Sequence, residues 1–141
     1  MSEPVPERIR TEIQRRARHC CEYCRLHEED AELNHEPDHV IPRKHRGETS
    51  QNNLAWTCFA CNRHKGSDLC SIDIETGNIV RLFNPRVDKW SEHFRQEGAR
   101  IIPLTPEGRV TEFLLQFNRL DRLQIRELSL RQGRYPRETN K

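Results

Sequence analysis

Asp38-His39-Val40-Ile41-Pro42, Asn52-Asn53-Leu54 and Cys58-Phe59-Ala60-Cys61-Asn62-Arg63-His64-Lys65 follow one another closely, preceded by Cys21-Glu22-Tyr23-Cys24. The stretch combines an imidazole, oxygen-bearing side chains suited to a hard cation, and two cysteine pairs. Residues 36–42 read as a strand ending at Pro42. Arg43 to Gln51 is a basic, glycine-containing loop, and Leu54 to Thr57 a second short strand. The second cysteine pair opens a helix beginning near Asn62. Strand, loop, strand, helix is the order a ββα unit requires.

Cys21, Cys24, Cys58 and Cys61 form CxxC-x33-CxxC. Each pair has the spacing that lets one turn present two thiolates to one ion, and four thiolates make a closed tetrahedron suited to structural zinc. Free thiols or a redox CxxC are the alternatives. Cys20 competes with Cys21, but Cys20 to Cys24 is a wider CxxxC; Cys70 lies outside both pairs. Both read as spare thiols. Structural zinc contributes roughly 10–16 kcal/mol in small peptide sites, against about 5–15 kcal/mol for the stability of a whole domain. Zinc on these cysteines would decide whether a lean chain folds.

This chain is lean. Of 141 residues, 33% are hydrophobic and 33% charged, against averages of ~45–50% apolar and ~25% charged. Six cysteines without a visible leader point to metal or free thiols rather than disulfides. The first residues, Met1 to Pro6, lack a basic segment followed by an apolar run, and no run approaches the ~18 apolar residues of a membrane span. A cytoplasmic protein is expected.

Cutting a phosphodiester requires activated water and stabilised charge on the phosphate and leaving oxygen. An imidazole neutral near pH 7 suits the first requirement, and a divalent ion on one or two oxygen ligands suits the rest. His39 offers the imidazole; Asp38 and Asn62 offer hard ligand atoms. Neighbouring residues on a regular strand point to opposite faces, so Asp38 and His39 share a site only through a bend or bulge.

Taken together, the knuckles, Asp38-His39-x-x-Pro42 and Cys61-Asn62-x-x-Lys65-Gly66 resemble the HNH endonucleases over about residues 18–68. The resemblance implies a zinc-stapled ββα-metal fold, α+β in class, that cuts nucleic acid, DNA above all, with one divalent ion such as Mg²⁺ or Mn²⁺. It implies that Asp38 and Asn62 bind that ion, that His39 is the general base, and that Asn53 braces the loop positioning it. Lys65 matches the family's basic residue, expected to contact phosphate or support the site. Position 62 departs from the motif's oldest form in being Asn rather than His, which bears on metal preference.

Each residue also has a plainer reading. Asp38 could orient His39 or cap a turn, and Asn53 is more structural than catalytic. His35, His45 and His64 read as solvated; His64, about 200° round an ideal helix from Asn62, points away from it. Trp56 reads as core rather than a platform for bases. Arg43, Lys44 and Arg46 would bind backbone phosphates without reading sequence, or be solvated.

Formal net charge is only +2, with a pI near 8.3, which alone does not mark a nucleic-acid binder. Locally, residues 38–66 carry five Lys/Arg against two acids, and residues 118–137 six Arg against two acids.

Three regions follow: an N-terminal helix (1–19), the ββα core (20–68) and a mixed α/β C-terminal extension (69–141). Ile9, Ile13 and Ala17 give the first helix, over 6–18, one apolar face, with its arginines largely elsewhere. In the extension, Ile72 to Ile74 and Ile79 to Phe83 flank a hairpin turn. Asp88 caps a helix over Lys89 to Gln96, and Arg100 to Leu104 reads as a strand. Thr111 caps one long helix to about Arg131, with a buried stripe of Leu114, Leu115, Phe117, Leu120, Leu123, Leu128 and Leu130. A frayed tail follows Gly133. Two rivals to the nuclease share the zinc: a non-catalytic zinc-ribbon-like module that binds nucleic acid, and a protein-interaction module using the Arg-rich C-terminal helix.

Overall fold

The computed structural model describes residues 4–137; the leader expectation on Met1 to Glu3 and the last four residues of the tail lie outside them. Helix α1 (Glu7–Arg16) starts after Pro6. Its apolar stripe packs Ile13 and Ala17 onto Leu54 and Trp56 in a small second core, with Ile9 alongside. Strands β1 (Glu36–His39) and β2 (Leu54–Thr57) pair antiparallel, with Asp38 opposite Ala55 and His39 opposite Leu54. All four β2 residues are buried.

β1 ends at His39, short of Pro42. The next backbone groups bond to Asn53 instead: Val40 N–H to its carbonyl, and both backbone groups of Ile41 to its side-chain amide. Helix α2 (Phe59–Lys65) begins three residues before Asn62. Its start is set by Cys58, whose Sγ accepts from the Cys61 N–H as the cap.

The extension adds hairpin β3–β4 (Cys70–Ile72, Ile79–Arg81), a single turn α3 (Trp90–His93) and hairpin β5–β6 (Phe94–Glu97, Arg100–Pro103). The helix expected over Lys89 to Gln96 is therefore cut to one turn, and the chain turns into strand from Phe94. Asp88 does not cap it, because its carboxylate is taken by Arg81 and the Asn84 N–H. Gly98, at φ 62, turns the β5–β6 hairpin. The long helix from Thr111 is two: α4 (Pro106–Leu115), capped by Thr105 on the Gly108 N–H, and α5 (Leu120–Arg131). Thr111 lies inside α4, where its hydroxyl accepts from Phe83 N–H and donates to the Glu107 carbonyl. The break between the helices lets Asn118 bond both backbone groups of Ile101 in β6.

α5 inverts its expected pattern. It buries Arg122, Arg126 and Ser129, while Leu120 and Leu128 stand 70% and 58% exposed. The segment after Gly133 is docked rather than frayed as far as Arg137. Tyr135 is buried and donates to the Cys24 carbonyl, and Arg134 and Arg137 pair with Asp30. The larger core joins Cys21, Tyr23, Cys24, Cys58 and Cys61 to Phe83, Trp90, Phe94, Ile101, Leu115 and Phe117. Knuckles and extension thus share one interior. Among the described residues, no helix is long and apolar enough to cross a membrane.

Candidate functional site

Cys21, Cys24, Cys58 and Cys61 converge, their four Sγ atoms within 4.8 Å of one another and all buried. Cys24 and Cys58, one from each knuckle, have Sγ atoms 3.7 Å apart. A tetrahedron with metal–sulfur bonds of ~2.3 Å has edges of about 3.8 Å, so this donor set fits zinc. In each knuckle the second cysteine's N–H points at the first one's sulfur, 3.5 Å for Cys24 on Cys21 and 3.4 Å for Cys61 on Cys58. No other His, Cys, Asp or Glu trio converges in this way among the described residues. Cys20 is buried outside the cluster and Cys70 is exposed.

The second half of the site lies where β1 meets α2. Asp38 is buried, with Oδ2 3.0 Å from the Lys65 ammonium. Lys65 also donates to the His39 carbonyl at 3.0 Å. At 1% exposure it is one of the most buried side chains. This corrects the assignment of Lys65 to nucleic-acid binding: its ammonium is spent inside the protein and does not reach a phosphate at the surface. Asp38 Oδ2 has this ionic contact but no hydrogen bond of good geometry. Burial pushes the Asp38 carboxyl up to about 6, against the opposing pull of Lys65 and the Tyr23 hydroxyl.

His39 closes β1 without a bulge; the ladder is regular, and the chain bends directly after it at Val40 and Ile41. Its Nε2 lies 2.8 Å from the Thr49 hydroxyl across the basic loop. Nδ1 makes no hydrogen bond to the described protein. Burial first, then Arg43 and Lys65, hold the imidazole below its ordinary value of 6.5, so it is neutral at pH 7.

Asn53 ties the loop shut. Its amide nitrogen donates to the carbonyls of Ile41 and Glu48 at 2.9 and 2.8 Å, and its oxygen accepts from Ile41 N–H. Gly47 lies so close that a Cβ there would sit 1.6 Å from the Ile41 oxygen, so no larger residue fits without moving the loop.

Asn62 is half-buried on α2, its amide without a hydrogen bond to the described protein. It stands three residues before Lys65 and so shares its face, the face that meets Asp38. Asp38, whose Oδ2 is held by Lys65, and the Asn62 amide, which has no hydrogen bond to the described protein, could together offer oxygen ligands to a hard cation completed by water and phosphate. His64 lies on the other side of α2, where burial, then Arg122 and Arg119, lower its pKa. His35 is buried with Nε2 on the Leu26 carbonyl, and His45 is exposed. Trp56 is core, its indole N–H donating to Glu28.

Arg43, Lys44 and Arg46 are exposed on the loop that carries Thr49. Arg43 reaches the Thr49 hydroxyl at 3.4 Å; Lys44 and Arg46 have no carboxylate partner within 4.0 Å among the described residues. The C-terminal arginines differ. Arg122 and Arg126 are buried, and Arg119, Arg131, Arg134 and Arg137 each pair with an acid.

Three side chains at these sites carry no motif in the sequence. Thr49 gives no signal, since a threonine in a polar loop is unremarked. Tyr23, whose buried hydroxyl lies near Asp38, is a knuckle residue with no pattern of its own. Arg122 does leave a trace: Arg122, Arg126 and Ser129 repeat at i, i+4, i+7, a helical face made of polar residues.

Residues 21–68 match the family model described as HNH endonuclease. No curated protein and no solved structure matches the chain.

Proposed function

We propose that this chain, whose residues 21–68 match the HNH endonuclease family model, hydrolyses phosphodiester bonds in DNA with His39 as general base. The observation that carries the reading is the state of His39. The imidazole sits at the end of β1 with Nε2 2.8 Å from the Thr49 hydroxyl and no hydrogen bond from Nδ1 to the described protein, and burial holds its pKa below the ordinary value. For Nδ1 to accept a proton, Nε2 must carry the ring hydrogen, and Nε2–H then donates a hydrogen bond to the Thr49 hydroxyl oxygen. Thr49 would thereby fix both ring orientation and tautomer.

Asp38 and Asn62 would hold one divalent ion, Mg²⁺ or Mn²⁺. Bound there, the ion supplies charge stabilisation for the phosphate and the departing 3′ oxygen. Lys65 keeps Asp38 ionised and anchors the His39 backbone. Asn53 holds the loop so that Thr49 meets the imidazole. Lys44 and Arg46 take flanking phosphates, and Arg43 serves both substrate and Thr49. His39 takes the proton of the attacking water. Zinc on Cys21, Cys24, Cys58 and Cys61 is structural, since four thiolates leave no open position.

A non-catalytic nucleic-acid-binding module would account for the zinc and the basic loop, but gives the His39–Thr49 contact and the bare Asn62 no role. Incubation with supercoiled plasmid, with and without Mg²⁺ or Mn²⁺, separates the readings. Metal-dependent nicked product supports the nuclease; salt-sensitive binding with no product under either ion supports the binding module.

A further inference from the structure

A buried guanidinium needs either an anion or enough acceptors, and Arg126 meets the second condition on the carbonyls of Ala99 and Phe117 and the Asn118 side-chain oxygen. Arg122 on α5 is 6% exposed, yet no carboxylate among the described residues lies within 4.0 Å of its guanidinium. Its partners are sulfur, one carbonyl and the Phe117 ring, 5.8 Å from the guanidinium carbon. Nη2 is 2.9 Å from Cys61 Sγ and 3.6 Å from Cys58 Sγ, while Nη1 donates to the Leu115 carbonyl. Beside four neutral thiols this arrangement would leave a desolvated charge nearly uncompensated, at a cost of several kcal/mol. A divalent ion with four thiolates, by contrast, carries a net charge of −2 and needs cations or N–H donors around it. Two knuckle N–H groups point at Cys21 and Cys58. The guanidinium comes closest to Cys61, which neither of those groups serves.

We propose that Arg122 is the counter-cation of the four-cysteine metal site, so that α5 of the C-terminal extension is part of the metal centre. The inference rests on reading the four cysteines as a metal site, not on nuclease activity. It gives the extension a role, since that region buries the second knuckle under Leu115 and Phe117 and supplies the charge that burial demands. Metal retention should then depend on a residue 61 positions away from the nearest ligand.

The test compares full-length wild type, Arg122→Lys and Arg122→Gln, following transfer of zinc to a chromogenic chelator. Gln keeps a donor but loses the charge; Lys keeps the charge but loses the planar fork. Substitutions around metal ligands commonly change metal affinity 10–100-fold. Arg122→Gln should release zinc at least ~10-fold faster, and Arg122→Lys should stay closer to wild type. Maleimide labelling read by mass spectrometry should find Cys61 and Cys58 modified first in Arg122→Gln. Equal release from Lys and Gln variants, or four cysteines labelling in step, would show a packing role only and overturn the proposal. Wild type that folds without zinc overturns the proposal and the metal reading together, whatever plasmid cleavage shows.

Discussion

His39 Nε2 and the Thr49 hydroxyl, ten residues apart, meet at 2.8 Å across the basic loop. The contact couples His39, the proposed base, to the segment that would hold substrate. A net hydrogen bond is worth about 0.5–1.5 kcal/mol, or up to roughly tenfold in rate. Thr49→Val should therefore lower the cleavage rate several-fold, up to about tenfold, with melting temperature and zinc content unchanged. Single-turnover rates on plasmid measure this, and a wild-type rate would remove Thr49 from the site.

Cys58 both belongs to the metal cluster and caps α2. Cys58→Ser should yield insoluble or largely unfolded protein, while wild type should carry about one zinc per chain by metal analysis. Well-folded wild type without zinc would contradict the structural role.

The ββα core is largely legible in the sequence because its signals are local. Leu54 to Thr57 is apolar enough to name a strand, and CxxC spacing specifies the knuckles whatever surrounds them. Boundaries shift where side chains replace backbone partners: Asn53 ends β1, and Cys58 starts α2. The extension is less legible because its pattern is set by tertiary needs. Asn118 interrupts a helical run to bond β6, and α5 turns arginines inward because carbonyls and sulfur await them. Lys65 could not be placed from sequence, since burying a lysine depends on Asp38 arriving from another element.

Lys44 and Arg46 should act through backbone phosphates. Replacing both with Ala should weaken binding alike for unrelated DNA sequences and reduce the salt slope by about 0.9 per lost contact. Arg43 differs because it also helps depress the His39 pKa, after burial. Arg43→Ala should let that pKa rise and move the rate's climb with pH upward. A binding loss confined to one target sequence would contradict the backbone role.

Asn62 and Lys65 share a helix face but should separate experimentally. Asn62→Ala should keep zinc and stability yet require much more Mg²⁺ for cleavage. Lys65→Met leaves the Asp38 carboxylate buried without its partner, which typically costs about 3–5 kcal/mol, so its denaturant midpoint should fall sharply. A Lys65 variant with wild-type stability and weakened DNA binding would restore the surface role.

The central claim is that His39 is the base, and His39→Ala tests it most directly. General-base help is worth about 10²–10⁴-fold. At saturating Mg²⁺, ligation keeps Asp38 ionised, and the wild-type rate should climb with pH as His39 loses its proton. Because burial, Arg43 and Lys65 lower that pKa, the midpoint should fall below 6.5. His39→Ala should cut plasmid cleavage at least ~10²-fold and lose the climb, while zinc content, folding and DNA affinity stay near wild type. Cleavage at the wild-type rate, or unfolding like the cysteine variants, would contradict the account.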